Sequence, residues 1–371
     1  MSKTVLRVVH LSGMMSRGGG ENHIINLTTE LNNMGHESTV FCPLGSQLGT
    51  ELKELNSPVV EKKLRLKVDP LFFLSFGKFC KKKKIDIIHV HDPVAMFLVI
   101  LASYFFKLPK TVMSKKTSFP IKNRKKTLYK YNHPIFKRVI CVSNEVKKVS
   151  QKSIVNSNKI VTIYNGSNLD KLDTFKPKIN LRESLNIPKD VTLVLHIANH
   201  TKPKDLPLFI KCVEYFKDRE DVHFVQIGRH TEHSIPILEA VESKGLEKRV
   251  SFLHEQENAA VYLKQADISF ITSKSEGLPQ VIYESMYYQT LIVSTMAGGI
   301  PEVISNGVNG FIAPVGDSIK LIEHLNHVIG NKSAFAKMLD QNFQLVKEKY
   351  DSKIMAQKTL ELYQNVLKPA Q

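Results

Sequence analysis

The stretch VLRVVHLSGMMSRGGGENHIINLTTELNNMGHESTVFC, residues 5–42, decides the fold. Val5 to Leu11 is β-branched and apolar and predicts a strand. Gly18, Gly19 and Gly20 then interrupt regular backbone. From Glu21 to Asn33, the apolar Ile24, Ile25, Leu27 and Leu31 share one side of a helix, and Gly35 is placed to stop it. Ser38 to Cys42 is the next strand. Strand, glycine-rich loop, helix and strand make the repeating unit of a parallel sheet with helices on its faces.

The same alternation runs outward from there. Ile85 to His89, Arg138 to Val142 and Lys159 to Ile163 are further strands. The pattern restarts after the polar stretch Asp170 to Asn180. Thr192 to Ile197, His223 to Gly228, Val250 to Leu253, Ile268 to Thr272 and Leu291 to Ser294 read as strands, and Leu206 to Phe216 as a helix. The expected fold class is α/β, with two Rossmann-like doubly wound parallel sheets. Residues 1–174, joined by a terminal helix at about 351–371, form the first domain, and residues 175–350 the second. Open parallel sheets bind at the carboxyl ends of their strands, so the cleft between the two halves is the expected site.

Composition sets bounds on this reading. With 42% hydrophobic and 23% charged residues, the chain has the balance of a globular protein. Met1 to His10 lacks the apolar centre of a signal peptide. The longest apolar run, Val94 to Phe106, is too short to span a bilayer, which takes about 20 residues, and reads as a buried helix. Cys42, Cys80, Cys141 and Cys212 are scattered without a CxxC pair, which fits a reducing, cytoplasmic location.

The net charge of +17 is one-sided. Residues 1–180 hold 31 Lys and Arg against 12 Asp and Glu, a surplus of 19, whereas residues 181–371 hold 21 against 23. The cations crowd at Lys78 with Lys81 to Lys84, and between Lys107 and Arg138. Such a half suits an anionic membrane surface or a phosphorylated acceptor, or is a solubilising face. The basic clusters lack interleaved aromatics and a reader motif, so nucleic acid is not the expected partner. The location that follows is cytoplasmic and peripheral on the inner face of the cell membrane.

The residues that carry chemistry follow the strand Ile268 to Thr272, in Ser275-Glu276-Gly277-Leu278-Pro279-Gln280-Val281-Ile282-Tyr283-Glu284-Ser285. Glu276 ends a loop, Gly277 frees the backbone, and Pro279 suits the first turn of a helix. Amides at that helix start can face an anionic or hydroxyl-rich ligand. Two carboxylates eight residues apart can bind two sets of hydroxyls in one ligand, as a sugar and a ribose present them. The plain alternative is an acidic residue complementing a helix dipole, with a solvated Glu beyond it.

This segment resembles the signature of glycosyltransferase family 4, a Glu, seven residues and a Glu. Further motifs follow in the family order. They are Gly18-Gly19-Gly20-Glu21 with Gly35-His36-Glu37, Asp86-Ile87-Ile88-His89-Val90-His91, Ile163-Tyr164-Asn165-Gly166, Gly298-Gly299-Ile300-Pro301-Glu302 and Asn309-Gly310-Phe311. The resemblance implies a GT-B fold and a retaining glycosyltransferase using a nucleotide sugar, with a UDP-sugar as the first candidate. It implies Glu276 and Lys204 as catalytic candidates; His91 joins them from its place at the carboxyl end of its strand, beside Asp92-Pro93. Gly19, Gly20, Asn199, Lys202, Lys204, Glu276, Gly277, Leu278, Pro279 and Glu284 are the donor-binding candidates. Glu284 would take the ribose hydroxyls, Glu276 the donor sugar and Lys204 the diphosphate. At Gly19 and Gly20 a bare backbone lets amides approach the ligand. The expected acceptor is a lipid-linked glycan, in assembly of lipopolysaccharide or capsule.

The chain also departs from the family. Asp205 stands where the motif often has Gly. Ala198-Asn199 replaces a Gly-Arg pair, so the diphosphate loses one cation unless Lys202 or His200 replaces it. Thr111 to Lys116 lacks the histidine many members carry there, and Lys115 or Ser114 is the expected substitute. His89 and His91 are read as facing opposite sides of their strand, with His91 toward the site and His89 in the core. No Asp-x-Asp and no convincing ligand spacing occur, so neither a metal nor a cofactor is expected. The competing readings are a sugar-nucleotide epimerase, a GT-B protein that no longer catalyses, and, on charge alone, a nucleic-acid binder.

Overall fold

A computed structural model describes residues 5–16 and 19–369; Gly18 of the glycine-rich loop lies outside them. The chain divides into two compact units. One is built within residues 1–166 and 352–371, the other from Ser167–Asp351. The division falls eight residues earlier than the expected 174/175 boundary. The reason is local: the short helix Leu169–Thr174 packs into the second unit, where the Tyr288 hydroxyl donates to the Leu172 carbonyl at 2.8 Å.

The first unit holds seven strands: β1 (Arg7–Leu11), β2 (Glu37–Pro43), β3 (Val59–Lys62), β4 (Ile87–Val90), β5 (Lys110–Lys115), β6 (Phe136–Cys141) and β7 (Ile160–Thr162). All pair in parallel, in the order β3-β2-β1-β4-β5-β6-β7. The second unit holds six: β8 (Thr192–Ile197), β9 (Val222–Ile227), β10 (Val250–Leu253), β11 (Ile268–Ile271), β12 (Leu291–Thr295) and β13 (Phe311–Ala313). They too are parallel, in the order β10-β9-β8-β11-β12-β13. Each sheet therefore reverses direction once, between β1 and β4 and between β8 and β11. At such a switch point the loops leaving two adjacent strands diverge and open a ligand crevice.

The apolar run Val94 to Phe106 becomes the helix Pro93–Ser103, with Ala95, Met96, Leu98, Val99, Ile100 and Ala102 buried. Asp92 fixes its start by accepting from the Val94 and Ala95 amides, both at 2.9 Å. Among the described residues, no helix is long and apolar enough to cross a membrane. On the other face of the first sheet, the helix Gly19–Asn33 packs with the terminal helix Ser352–Leu367. Leu360 and Tyr363 of the latter lie in one cluster with Leu6, Val8, Leu27 and Leu31. Buried Ser352 donates to Glu30 Oε1 at 2.7 Å, tying the returning helix to the first one.

Candidate active site

On the β8 side of the second switch point, neighbouring strands shape the loop. Gln226 of β9 donates to the Ala198 carbonyl at 2.6 Å and faces His200 Nε2 at 2.9 Å. Gly228 has to be bare, because a Cβ there would lie 1.9 Å from the Ala198 oxygen. Asn199 Oδ1 accepts from the Arg229 amide at 2.9 Å, which fixes the side chain and leaves its Nδ2 as the donor it can offer a ligand. The tight turn Lys202–Lys204 follows, and Asp205 sits at φ 50°, ψ 54°, in the left-handed region. This is why a glycine suits the position. Aspartate there carries roughly 1 kcal/mol of backbone cost. Its buried carboxylate is engaged by Lys274 Nζ at 2.9 Å.

The β11 side is clipped to this turn. Thr272 Oγ1 donates to the Lys204 carbonyl at 3.0 Å, and the Lys274 amide to the Pro203 carbonyl at 2.7 Å. Glu276 Oε1 then receives Lys204 Nζ at 2.6 Å and Ser273 Oγ at 2.7 Å. A third loop closes on the same backbone. Gly298, at φ +57°, would place a Cβ 1.7 Å from the Glu276 carbonyl oxygen, and the Gly299 amide donates to the Gly277 carbonyl at 3.0 Å. Leu278 is buried. Pro279 stands one residue before the helix Gln280–Tyr287, as its cap rather than in its first turn, and no side chain of the cap residue closes that end.

Glu284 lies in the middle of that helix. Burial pushes its carboxyl up to about 7. No described side chain offers it a hydrogen bond. A carboxylate that is desolvated and unsatisfied within the protein is suited to accept hydroxyls from a ligand.

The structure thus brings Lys204, Glu276 and Gly277 together, with Asn199, Leu278, Pro279 and Glu284 on the adjoining loops and helix. Lys202 does not join them. It lines a groove of about 740 Å³ between the helices Leu206–Tyr215 and Ile235–Lys244, whose walls include neither Lys204 nor Glu276. A turn of three residues points successive side chains in different directions, which spacing alone does not resolve. Arg229, the residue that holds Asn199 through its backbone, escaped sequence reading, and only its place after Gly228 at the end of β9 marks it.

The remaining candidates belong to the first unit. His91 does not oppose His89: their ring centroids lie 4.0 Å apart. Side chains two apart on a strand share a face, so the expectation of opposite sides was a misreading of the period. His10 of β1 joins them, with its Nδ1 2.9 Å from His91 Nε2. His89 is held by the Tyr363 hydroxyl at 2.6 Å and Ser114 Oγ at 2.7 Å. These three histidines offer nitrogens within 4.8 Å of one another, a clustering that separation in sequence concealed. Both nitrogens of His89 are already engaged, so an ion would have to break its bond to Tyr363 or to Ser114. Burial holds His10, His89 and His91 neutral, lowering each below the usual histidine range.

Gly19 and Gly20 open the helix Gly19–Asn33. A Cβ on Gly20 would meet nothing closer than 3.5 Å, on Lys116, so the protein itself does not require glycine there. The substitutes expected for the missing histidine are both committed elsewhere. Ser114 serves His89, and Lys115 Nζ donates to the carbonyls of Thr117 at 2.5 Å and Phe119 at 2.9 Å. Lys116 is the residue that reaches the glycine loop, with Nζ 2.8 Å from the Gly20 carbonyl.

Known proteins share this architecture. HepE of Anabaena, solved in complex with UDP and glucose, superposes with a TM-score of 0.85 at 19% identity, covering 97% of this chain and 100% of that one. The UDP-Gal:alpha-D-GlcNAc-diphosphoundecaprenol alpha-1,3-galactosyltransferase of Escherichia coli is 25% identical over 347 residues, 88% of this chain and 89% of its own. The N-acetyl-alpha-D-glucosaminyl L-malate synthase of Bacillus anthracis is 25% identical over 231 residues, which span 62% of this chain and 60% of that protein. The family model for Glycosyltransferase Family 4 matches residues 17–171, and that for Glycosyl transferases group 1 matches residues 177–345. With both models matched in chain order on the two parallel-sheet units, the chain belongs to the group 1, family 4 glycosyltransferases.

Proposed function

We propose that this glycosyltransferase moves a hexosyl unit from a UDP-sugar to a hydroxyl of a lipid-linked glycan, retaining the anomeric configuration and using no metal, in surface polysaccharide assembly. The observation that carries this reading is the set at the β8–β11 switch point: the Lys204–Glu276 pair and the unsatisfied carboxylate of Glu284. Lys204 is placed to neutralise the departing diphosphate once a donor displaces it from Glu276. Glu276 then accepts donor-sugar hydroxyls, and Glu284 the ribose hydroxyls. The acceptor hydroxyl passes its proton to the leaving phosphate on the same face. The UDP in the HepE complex supports the donor, and the diphosphoundecaprenol in the E. coli relative's name supports the acceptor.

Thermal unfolding with UDP, GDP, ADP and their sugar conjugates tests the reading. A ligand at a hundred times its Kd adds about 2.7 kcal/mol. Selective stabilisation by UDP is the expected result, and no shift with any nucleotide overturns it.

An acceptor on a lipid calls for a membrane-facing surface, and the features of the first unit that support this reading are a group of exposed aromatics beside lysines. Tyr104 and Phe105 are exposed at the end of the helix Pro93–Ser103; Tyr104 Oη lies 2.6 Å from Tyr129 Oη, and Phe105 stacks on Phe73 at 5.7 Å. Tyr129 belongs to the helix Lys125–Asn132, which carries Lys125, Lys126 and Lys130. Tyr129 and Tyr131 stand within the basic stretch Lys107 to Arg138 itself, contrary to the expectation that its clusters lack aromatics, and folding adds Tyr104 to them. Each lysine near acidic lipid contributes about 1 kcal/mol, and exposed aromatic rings favour the headgroup layer. Sedimentation with phosphatidylglycerol vesicles is expected to carry the protein down, and Lys125→Glu with Lys126→Glu to release it. Equal recovery with neutral vesicles contradicts the assignment.

A further inference from the structure

Lys116 follows β5 at the carboxyl end of the first sheet. Its bond to the Gly20 carbonyl is its only hydrogen bond among the described residues, so one of three N–H groups is committed. Glu21 of the helix Gly19–Asn33 and Asp92 are the carboxylates that face it. Asp92 is engaged twice over, by the Val94 and Ala95 amides on Oδ1 and by the Gly13 amide on Oδ2 at 2.8 Å. The imidazoles around it, His10, His23, His89 and His91, are buried and neutral, and contribute no negative charge. Burial outweighs the attraction of both carboxylates and lowers Lys116 to about 8. An ammonium taken out of water costs several kcal/mol unless it is paired; Glu21 and Asp92 attract this one, and the Gly20 carbonyl takes its one hydrogen bond among the described residues.

We infer that Lys116 is a specificity-determining residue that binds an anionic group, a phosphate or a carboxylate, on the acceptor. The inference rests on the transferase reading and deepens it. The donor diphosphate has its own cation in Lys204 of the second unit. Lys116, on the other unit, is therefore assigned to the acceptor rather than to the diphosphate. A neutral sugar would gain little from its charge, whereas a phosphate or carboxylate near the accepting hydroxyl can take charge-assisted hydrogen bonds from the N–H groups that the Gly20 carbonyl leaves unused.

The test is isothermal titration of the UDP-saturated protein with glycerol 3-phosphate, glycolate and neutral glycerol, at pH 7 and pH 9. Wild type is expected to bind at least one anion and not glycerol, and the anion that binds separates phosphate from carboxylate. Lys116→Met should weaken anion binding at least tenfold while leaving UDP affinity unchanged. Lys116→Arg should retain it. Wild-type anion affinity should fall between pH 7 and pH 9 as the ammonium loses its proton, and the arginine variant should show no such fall. Equal anion binding by wild type and Lys116→Met overturns the assignment. So does a loss of UDP affinity in Lys116→Met, which would place the lysine on the donor, or binding of neither anion while UDP binds. Failure of wild type to bind UDP at all strikes instead at the transferase reading.

Discussion

Lys204→Met is expected to lower the kcat/KM for UDP release from a UDP-sugar by about 10²–10³, the usual effect of removing one preorganised donor from a developing negative charge. Stability should barely change. The Lys204–Glu276 pair is partly exposed, with side-chain exposures of 29% and 12%. Pairs open to solvent contribute about 0–1 kcal/mol. Glu276 also keeps its bond from Ser273 Oγ. A loss falling on kcat rather than KM marks an interaction made in the transition state. Lys204→Arg should recover part of the rate by restoring charge. A change of less than about threefold in the methionine variant would remove Lys204 from the chemistry.

Glu284→Gln should move stability and binding in opposite directions. The folded protein holds this carboxyl at about 7, above the 4.5 of an unburied glutamate. Between those values the folded state keeps a proton that the unfolded chain releases, so wild type loses stability as pH rises through that window. Glutamine has no proton to lose. At pH 8 the variant should therefore unfold at a higher temperature than wild type, by an amount governed by about 1.4 kcal/mol per pKa unit. The stabilisation by UDP should disappear, because the amide cannot accept two hydroxyls as a carboxylate does. In wild type, UDP binding should release a proton near neutral pH, measurable as a buffer-dependent heat. A variant less stable than wild type at pH 8 that still binds UDP would contradict both halves.

Periodic segments were the most legible. β8 and β10 have the bounds their sequences predict, each being a short, largely apolar run. β3 and β13 escaped reading, being edge strands of four and three residues with too few positions to show a period. β5 begins and ends in lysine, and its strand character rests on Thr111, Val112 and Met113. Of the site, Glu276 and Glu284 were readable because a loop, a glycine and a helix start fix their spacing. Their difference was not: the one is paired with Lys204, the other has no side-chain partner among the described residues, and only tertiary packing decides which. His10 lies far from His89 in sequence and meets it through β1–β4 pairing. Lys115 or Ser114 is the expected substitute for the missing histidine, whereas Lys116, the next residue, is the one that reaches the glycine loop.

The terminal helix Ser352–Leu367 belongs to the unit that begins the chain, and residues 167–351 intervene. During synthesis the first sheet therefore emerges with the face lined by Leu6, Val8, Leu27 and Leu31 still uncovered. At roughly 5–20 residues per second, the second unit takes on the order of ten to forty seconds to follow. Throughout that interval the ribosome presents a nascent domain with an open apolar face and no Leu360 or Tyr363 to close it. The second unit, unbroken in sequence, has every residue it needs before the first does, so the N-terminal half of this chain is the last to have its full set of core residues.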